Sequence, residues 1–339
     1  MHVIATALLC VFSSPRPSFT DTFPWPRVPT MCQTHIPGIF SRKGMIGTGR
    51  FSDAVVRFLA DNYAIIVANG LEPGLSGQCQ EKAIQSLADR IHALNPDTKV
   101  LMYQANQMVH SRNPALLPPG NRPETLLPCG LENVKREWLA TYDNGTLYDN
   151  KGHSYMHNLS IPAMRQQWLD VILNKTLGDH VAGVFADNSF DHASSPWMSD
   201  DRAKAFLYGQ QKLLASVVGA GKYVIFNGLR LHYARKTWKA TDDLDALTTL
   251  LPHASAGYFE PWLSAVYRNN TTGKLNASMA SHALLRMINA SQTHADKGIV
   301  FKAGPGPCVG YIAGQGRVLF AADACCPFHP LCSLPLFPL

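Results

Sequence analysis

The sequence predicts an α/β fold of the (β/α)8 TIM-barrel type, in which each strand is followed by a helix. Seven short apolar runs recur along the 339 residues, and amphipathic helical segments separate most of them. The runs are continuously apolar rather than alternating, which is typical of parallel strands buried on both faces. A doubly wound sheet is the alternative fold, but no G-x-G-x-x-G follows any strand, and this favours the barrel.

The apolar runs and the helical periodicity give the predicted elements. The predicted strands are Pro37–Phe40, Tyr63–Ala68, Val100–Gln104, Val181–Ala186, Tyr223–Phe226, Ala256–Phe259 and Gly298–Lys302, with an eighth at Val318–Ala322. The predicted helices are Ser52–Asp61, Gln80–Leu94, Ala163–Leu177, Asp200–Val218 and Met279–Thr293. The Gly- and Pro-rich stretch before the eighth strand leaves no room for a helix, so the sequence leaves open whether the eighth unit is complete.

Three segments flank or interrupt the predicted barrel domain, residues 33–322. The apolar run Val3–Phe12 is too short to span a bilayer, which needs about 20 residues, and it predicts a secretory signal peptide over residues 1–24. The Pro-rich residues 105–160 form an inserted loop, expected on the C-terminal face where barrels bind substrates. The tail, residues 323–339, is expected to be irregular, and its prolines argue against a membrane span.

The composition narrows the class of protein. Charged residues make up 16% of the chain, whereas a typical share is about 25%. The net charge is +6, but the basic residues are scattered, so no nucleic-acid groove is indicated. Glycans could hydrate a surface that carries few charges, and the sequence has seven N-x-S/T sequons. They begin at Asn144, Asn158, Asn174, Asn269, Asn270, Asn276 and Asn289. We therefore expect a glycoprotein that is secreted or lies in the lumen of the secretory pathway.

The cysteines do not indicate a metal site. The eight cysteines include a C-terminal group with His329, but no partner pair stands at zinc-finger spacing. No metal and no cofactor are expected. Cys79 and Cys129 lie in two loops that we place on the same face of the barrel, and they are the preferred disulfide pair.

Polar residues at the strand ends predict the active site, because these ends line the catalytic face of a barrel. Asp187 and Glu260 each follow an apolar strand directly, and a carboxylate pair is what glycosidic cleavage requires. Capping of a helix by Asp187 and pairing of Glu260 with Lys302 are the structural alternatives. The predicted substrate-binding residues, suited to a carbohydrate partner, are Asn69, Glu72, Tyr103, Gln104, Asn188, Asn227, Tyr258, Trp262 and Lys302.

Four motifs carry a family resemblance over about residues 35–305. They are Ser160-Ile-Pro-Ala-Met-Arg-Gln-Gln-Trp-Leu169, Gly183-Val-Phe-Ala-Asp187, Phe226-Asn-Gly228 and Gly257-Tyr-Phe-Glu260. In order and spacing they resemble barrel-type glycoside hydrolases of the endo-α-galactosaminidase group and the hypothetical glycosyl hydrolase families. The resemblance implies Asp187 as nucleophile or base, Glu260 as general acid and an α-linked polysaccharide as substrate. Ile161 departs from the pattern, which usually has Asn before the proline.

Two other functions stay open at this point. One is a catalytically inactive carbohydrate-binding protein on a degenerate barrel, which an incomplete eighth unit would favour. The other is a structural surface glycoprotein, which would have no acidic and aromatic cleft at the strand ends.

Overall fold

The computed structural model describes just under half of the chain. The described residues are 31–33, 51–68, 80–106, 108–110, 135–148, 154–173, 178–189, 199–229, 246–259, 285, 287–290, 292–302, 309–313 and 317–320. The strands are β1 Met31–Gln33, β2 Ile65–Ala68, β3 Lys99–Ala105, β4 Met108–His110, β5 Ser154–Met156, β6 Val181–Asp187, β7 Tyr223–Asn227, β8 Ala256–Phe259, β9 Gly298–Lys302, β10 Val309–Ala313 and β11 Arg317–Phe320. The helices are α1 Asp53–Asn62, α2 Gln80–Leu94, α3 Pro162–Leu173, α4 Asp200–Gly219 and α5 Ala246–Thr249, with 3-10 turns at Arg136–Trp138 and Leu251–His253.

One sheet holds nine of the described strands, in the order β1-β2-β3-β6-β7-β8-β9-β10-β11. All pairs from β1 to β9 are parallel. The last two of the described strands are antiparallel, so the described part of the sheet ends in a hairpin. The described residues therefore show seven parallel strands followed by a hairpin.

The two faces of the sheet are covered differently. Alternate strand residues such as Ile66, Met102 and Val184 share one core cluster with the buried residues of the helices. The intervening residues, among them Val67, Phe185 and Ile225, form a second cluster made of strand side chains alone. A doubly wound sheet carries helices on both faces, whereas a barrel-type sheet curls so that its strands fill the inner face themselves. This division supports a curled, barrel-type sheet. We call the side that packs against the helices the outer face, and the side with the strand-only cluster the inner face.

The helices and most strands lie where the sequence predicts them. Ser52 caps α1, since its Oγ accepts a hydrogen bond from the Val55 amide at 3.4 Å. Residues 287–290 and 292–293 are helical within the predicted Met279–Thr293 helix. The sequence did not predict a strand at Met31–Gln33; the predicted Pro37–Phe40 strand lies outside the described residues. The predicted eighth strand corresponds to β11, but it runs antiparallel to β10, a strand that the sequence does not predict because it lies within the Gly- and Pro-rich stretch.

The 105–160 insertion is not wholly irregular. Its strands β4 and β5 pair antiparallel as a small second sheet. Arg202 at the start of α4 holds the insertion, because its guanidinium donates to the Thr141 carbonyl at 2.5 Å and to the Asp143 carboxylate at 2.7 Å. The insertion is thereby joined to the helix that follows β6.

A β-bulge in β6 sets which side chains reach the inner face. Val100 pairs with Val181 but Leu101 pairs with Gly183, so Ala182 is one extra residue in the strand. Ala182 packs against the inner cluster. Strict alternation from Ala182 would turn Asp187 to the outer face, because successive side chains in a strand point to opposite sides. The extra residue shifts the phase by one position and turns Phe185 and Asp187 to the inner face.

We expect Gly183→Ala to lower the free energy of unfolding by about 2–3 kcal/mol, because overpacking forces a backbone shift. A Cβ at this position would lie 1.9 Å from the Tyr223 carbonyl oxygen on β7. Gly219→Ala, at the end of α4, is the matched control, since nothing lies within 4 Å of its added Cβ. Urea unfolding followed by circular dichroism measures both variants; equal destabilisation of the two would contradict the tight contact at Gly183.

Candidate active site

Three predicted site residues meet on the inner face at the carboxyl ends of adjacent strands. Asp187 ends β6, Asn227 ends β7, and Tyr103 lies near the end of β3. Phe185 and Ile225, two positions earlier in β6 and β7, belong to the inner cluster, so alternation places Asp187 and Asn227 on the same side. The carboxyl edge of a parallel sheet with helical crossovers is where such folds bind ligands.

Asp187 is the acceptor for three side-chain donors. Asn227 Nδ2 donates to Asp187 Oδ1 at 2.7 Å. The Tyr103 hydroxyl and Asn188 Nδ2 both donate to Asp187 Oδ2, the latter at 3.1 Å. An ionised carboxylate accepts on both oxygens, so this arrangement matches the acceptor chemistry of the charged form. The donors on the flanking strands also fix the plane of the carboxyl group.

A tight turn carries the chain away from Asp187. Asn188 has φ +54°, in the left-handed region that Asn tolerates better than most residues. The next residue, Ser189, is buried, and its Oγ donates to the Ala186 carbonyl at 2.7 Å. A Cβ on Gly228 would lie 1.7 Å from the Ser189 carbonyl oxygen, so this close approach needs glycine at 228. The Asn-Gly pair at the end of β7 therefore has two roles. The Asn227 side-chain amide donates to Asp187, and Gly228 leaves space for the turn after Asp187.

An aromatic layer lies below Asp187 on the inner face. The Phe185 ring stacks on Tyr103, with centroids 6.1 Å apart, and meets Tyr258 edge-on at 5.3 Å. Tyr258 is only 2% exposed, so in this structure it packs into the layer instead of presenting a ring to a sugar. The layer excludes water beneath the carboxylate and gives it a rigid base.

The end of β3 is held by side chains from several parts of the chain. Trp168 Nε1 on α3 donates to the Ala105 carbonyl at 3.2 Å, and Gln104 Nε2 bonds the same oxygen at 3.1 Å. His157 Nδ1 lies 2.9 Å from the Asn106 carbonyl oxygen. The Asn106 amide in turn donates to the Asp187 carbonyl at 3.0 Å. These contacts tie the insertion and α3 to the strand beside Asp187.

His157 is fully buried and neutral near pH 7. Burial lowers the pKa of His157 to about 4, and its hydrogen bond to the Asn106 backbone opposes this shift only in part. A carbonyl oxygen can only accept, so Nδ1 carries the ring proton in this contact. His157 Nε2 and both polar side-chain atoms of Asn106 have no hydrogen-bond partner among the described residues.

Among the other predicted site residues, the structure turns Gln104 away from Asp187. Gln104 is buried opposite Ala186, whose side chain packs on the outer face, so the same alternation that aims Tyr103 inward turns Gln104 away. Lys302 is the last residue of β9. Six predicted residues lie outside the described part of the chain: Asn69, Glu72, Glu260, Trp262, Cys79 and Cys129.

Sequence reasoning did not predict a role for His157 or Trp168. A lone histidine in a long loop has no recognisable sequence pattern. The role of His157 depends on the insertion returning beside β3, which the sequence does not show. Asn106 is recognisable as a strand-end residue, yet the structure uses its backbone and buries its side chain completely. Within the described ranges no group of three His, Cys, Asp or Glu side chains is arranged to hold a metal. None of the helices described there is long and apolar enough to cross a bilayer.

The matched part of the chain identifies its family. A family model described as hypothetical glycosyl hydrolase family 15 matches residues 92–305, more than half of the chain. The chain belongs to this family. The resemblance to the hypothetical glycosyl hydrolase families is thereby confirmed. The part of the family 15 match that the structure describes runs from α2 to β9, so it contains Asp187 with all three of its donors and stops before the terminal hairpin. No curated protein matches the sequence.

Several solved glycosidase structures are similar to this family 15 chain at low levels. α-N-acetylgalactosaminidase NagBb from Bifidobacterium bifidum is 10% identical with a TM-score of 0.40, and the match covers 68% of this chain and 36% of that one. The GH36 α-galactosidase AgaA from Geobacillus stearothermophilus is 10% identical with a TM-score of 0.40, over 85% of this chain and 46% of that one. This chain thus spans less than half the length of either structure, and at these TM-scores the likeness carries no inference about substrate.

The buried His157 predicts a pH-dependent stability. Its pKa is about 4 in the folded protein against 6.5 for an ordinary histidine, so between these values the unfolded chain binds a proton that the folded chain does not. Lowering the pH from 6.5 to 4 should therefore destabilise the fold, by up to roughly 3 kcal/mol from this residue. Below pH 4 this contribution becomes constant.

Urea unfolding at several pH values between 4 and 7 measures this effect in the wild type and in His157→Asn. The asparagine does not titrate, so the stability difference between the two proteins should shrink as the pH falls through that window. Parallel stability curves for the two proteins would show that folding does not lower the pKa of His157.

Proposed function

We propose that this protein is a glycoside hydrolase that cleaves O-glycosidic bonds of an oligo- or polysaccharide, with Asp187 as nucleophile or general base. The observation that carries the proposal is a carboxylate at the carboxyl end of a central parallel strand, held by donors from both neighbouring strands. Membership of a glycosyl hydrolase family supports the reaction class.

The contacts of Asp187 suit a carboxylate that acts in its charged form. Tyr103 and Asn227 hold different oxygens, so the group cannot rotate freely about its Cβ–Cγ bond. Such preorganisation costs no rearrangement when positive charge develops on the sugar in the oxocarbenium-like transition state. Among the described residues, Oδ2 accepts two hydrogen bonds and Oδ1 only one, so Oδ1 keeps a free lone pair that can attack the anomeric carbon or take a proton from water.

We assign the general acid to Glu260 from its position in the sequence. Ala256 and Tyr258 of β8 contribute to the inner cluster, and alternation continued for two more residues would put position 260 on the same face as Asp187. Strands β6 and β8 are separated only by β7, which sets their backbones about 10 Å apart. Side chains leaning inward from that spacing can meet either the separation of about 5–5.5 Å of retaining enzymes or that of about 6.5–9.5 Å of inverting ones.

The substrate is proposed on chemical grounds only. The motif resemblance to the endo-α-galactosaminidase group makes α-linked glycans the first substrates to assay. Asn69, Glu72, Trp262 and Lys302 remain proposed sugar-binding residues, because amide, carboxylate and indole groups bind sugar hydroxyls and ring faces. A catalytically inactive carbohydrate-binding protein is the alternative, and the antiparallel hairpin that ends the described part of the sheet favours it.

We expect Asp187→Asn to lower kcat by roughly 10³-fold or more on a hydrolysed 4-nitrophenyl glycoside, equivalent to about 4 kcal/mol of transition-state stabilisation. Binding of the same sugar should change little. Asp179→Asn is the matched control, since Asp179 is exposed just before the opposite end of β6 and its loss should leave kcat unchanged within about twofold. Wild-type kcat in Asp187→Asn would remove Asp187 from the mechanism.

The same assay, run on a panel of α- and β-glycosides, separates the proposed functions. The anomer first released, read by proton NMR, distinguishes retention from inversion. Sugar binding by the wild type without cleavage of any panel member or polysaccharide would favour the carbohydrate-binding alternative.

We also propose that the protein enters the secretory pathway and is N-glycosylated, with Asn144 as an occupied site. Asn144 is exposed at the tip of a turn in which Gly145 has φ +81°. The Thr146 hydroxyl donates to Asn144 Oδ1 at 2.7 Å, so the hydroxyl that the sequon requires lies beside the asparagine side chain. Like Asn144 with Thr146, Asn158 accepts two hydrogen bonds, from the Ser160 amide and hydroxyl, but it is half-buried, so exposure is what distinguishes the two sites.

Secretion of the full chain from eukaryotic cells under its own leader tests this assignment. Peptide mass spectrometry before and after enzymatic deglycosylation should find glycan on Asn144, and Asn144→Gln should lose the mass of one glycan. Asn158→Gln should leave the glycan mass unchanged. An unmodified Asn144 in secreted protein, or retention of the protein in the cytosol, would contradict the proposal.

A further inference from the structure

The side chain of His157 lies in a chain of contacts that ends at Asp187. Its Nδ1 reaches the Asn106 carbonyl at 2.9 Å, and the Asn106 amide donates to the Asp187 carbonyl at 3.0 Å. Asn106 follows directly on Ala105, the residue that pairs with Asp187 in the β3–β6 ladder. The histidine therefore fixes the last peptide group that binds β6 before the chain turns away from the site.

The backbone around His157 is held on both sides. Leu139 forms a β-bridge with His157, and the Asn158 amide donates to the Trp138 carbonyl at 2.8 Å. On the far side, Arg165 Nη1 donates to the Leu159 carbonyl at 2.7 Å. The segment that carries the His157 ring is therefore fixed by backbone hydrogen bonds before and after the ring.

The ring is also in a costly environment for its polar atoms. His157 is 1% exposed, and its Nε2 has no hydrogen-bond partner among the described residues. A buried polar atom without a partner costs roughly 1–3 kcal/mol, so an aliphatic side chain would be the more stable occupant if packing were the sole requirement. The placement of a histidine here points to its Nδ1 donor as the feature that matters.

We propose that His157 is a positioning residue: its ring donates to the Asn106 carbonyl and so holds the end of β3 in the register that orients Asp187. The role is to place the carboxylate, and His157 itself does not touch the reacting atoms. Only the kinetic part of this inference rests on the proposed glycosidase function, since the positioning of the strand end is measurable without a substrate.

Two substitutions separate the donor from the volume of the ring. His157→Leu keeps an apolar group of similar bulk and loses the donor. His157→Asn loses much of the bulk, but its amide nitrogen occupies nearly the same place along the side chain as Nδ1 and retains the donor. A packing role predicts that leucine is the better replacement, whereas the positioning role predicts asparagine.

Amide hydrogen exchange reads the strand end directly. In His157→Leu the Asn106 amide should exchange at least about tenfold faster, while the Tyr63 amide at the end of α1 reports any global loss of stability. In His157→Asn the Asn106 amide should keep protection close to that of the wild type. Unchanged protection of Asn106 in His157→Leu would overturn the proposal, whatever the enzyme does.

Turnover of the same variants tests the consequence for Asp187. We expect kcat to fall about tenfold or more in His157→Leu with KM within about threefold, and to recover in His157→Asn. His180→Leu is the matched control, because His180 immediately precedes β6 at its opposite end and pairs with Asp89. Lost protection with unchanged kcat would also overturn the positioning role. If the wild type hydrolyses nothing, the glycosidase proposal fails, and exchange alone decides the role of His157.

Discussion

One extra residue in β6 determines the chemistry that the sheet can present. The bulge at Ala182 shifts the alternation of the strand, and the glycine that follows lets β6 lie against the Tyr223 carbonyl with no room for a side chain. Without that shift, Asp187 would face the helices and Ala186 the inner face. The neighbouring Tyr103 and Asn227 need no such device, because their strands are regular. The orientation of Asp187 therefore depends on the bulge at Ala182, and Gly183 is the residue that makes room for that bulge.

The motif between the insertion and β6 has a structural purpose. Arg165 and Trp168 are one turn apart on α3, and their donors point to different segments: Arg165 to the Leu159 carbonyl and Trp168 to the Ala105 carbonyl. Gly209 on α4 admits the Leu159 carbonyl, which lies 1.9 Å from where its Cβ would be. The helix thus joins the returning insertion to the end of β3. Arg165 and Trp168 therefore act here by donating to backbone carbonyls, and their hydrogen bonds within the described residues reach no carboxylate of the site.

The sequence predicts the strands well where burial alone decides the pattern. Ile65–Ala68 and Ala256–Phe259 are buried at every position, so a continuous apolar run signals them directly. Asp187 is predictable for the same reason, as the first polar residue after such a run. Gln104 shows the limit: it also follows an apolar run, but the phase of the strand turns it outward, and composition contains no information about phase.

Long-range geometry accounts for what sequence did not predict. The sequence predicts β11 but not its partner β10, and the antiparallel pairing of the two depends on tertiary contacts that a strand pattern does not encode. His157 matters because the insertion returns beside β3, about fifty positions along the chain from the residue it binds. A separation of that length cannot be read from periodicity, which reports only nearby residues.

The hydrogen bonds from Arg202 to Thr141 and Asp143 bear on how this site can be transplanted or diversified. A loop on a barrel is commonly treated as a module that can be exchanged while the scaffold stays the same. Here the insertion after β3 is secured by the first turn of α4, the helix that follows β6. The smallest unit that can be exchanged is accordingly the insertion together with the start of that helix, and recombination between them would separate the insertion from the arginine that holds it.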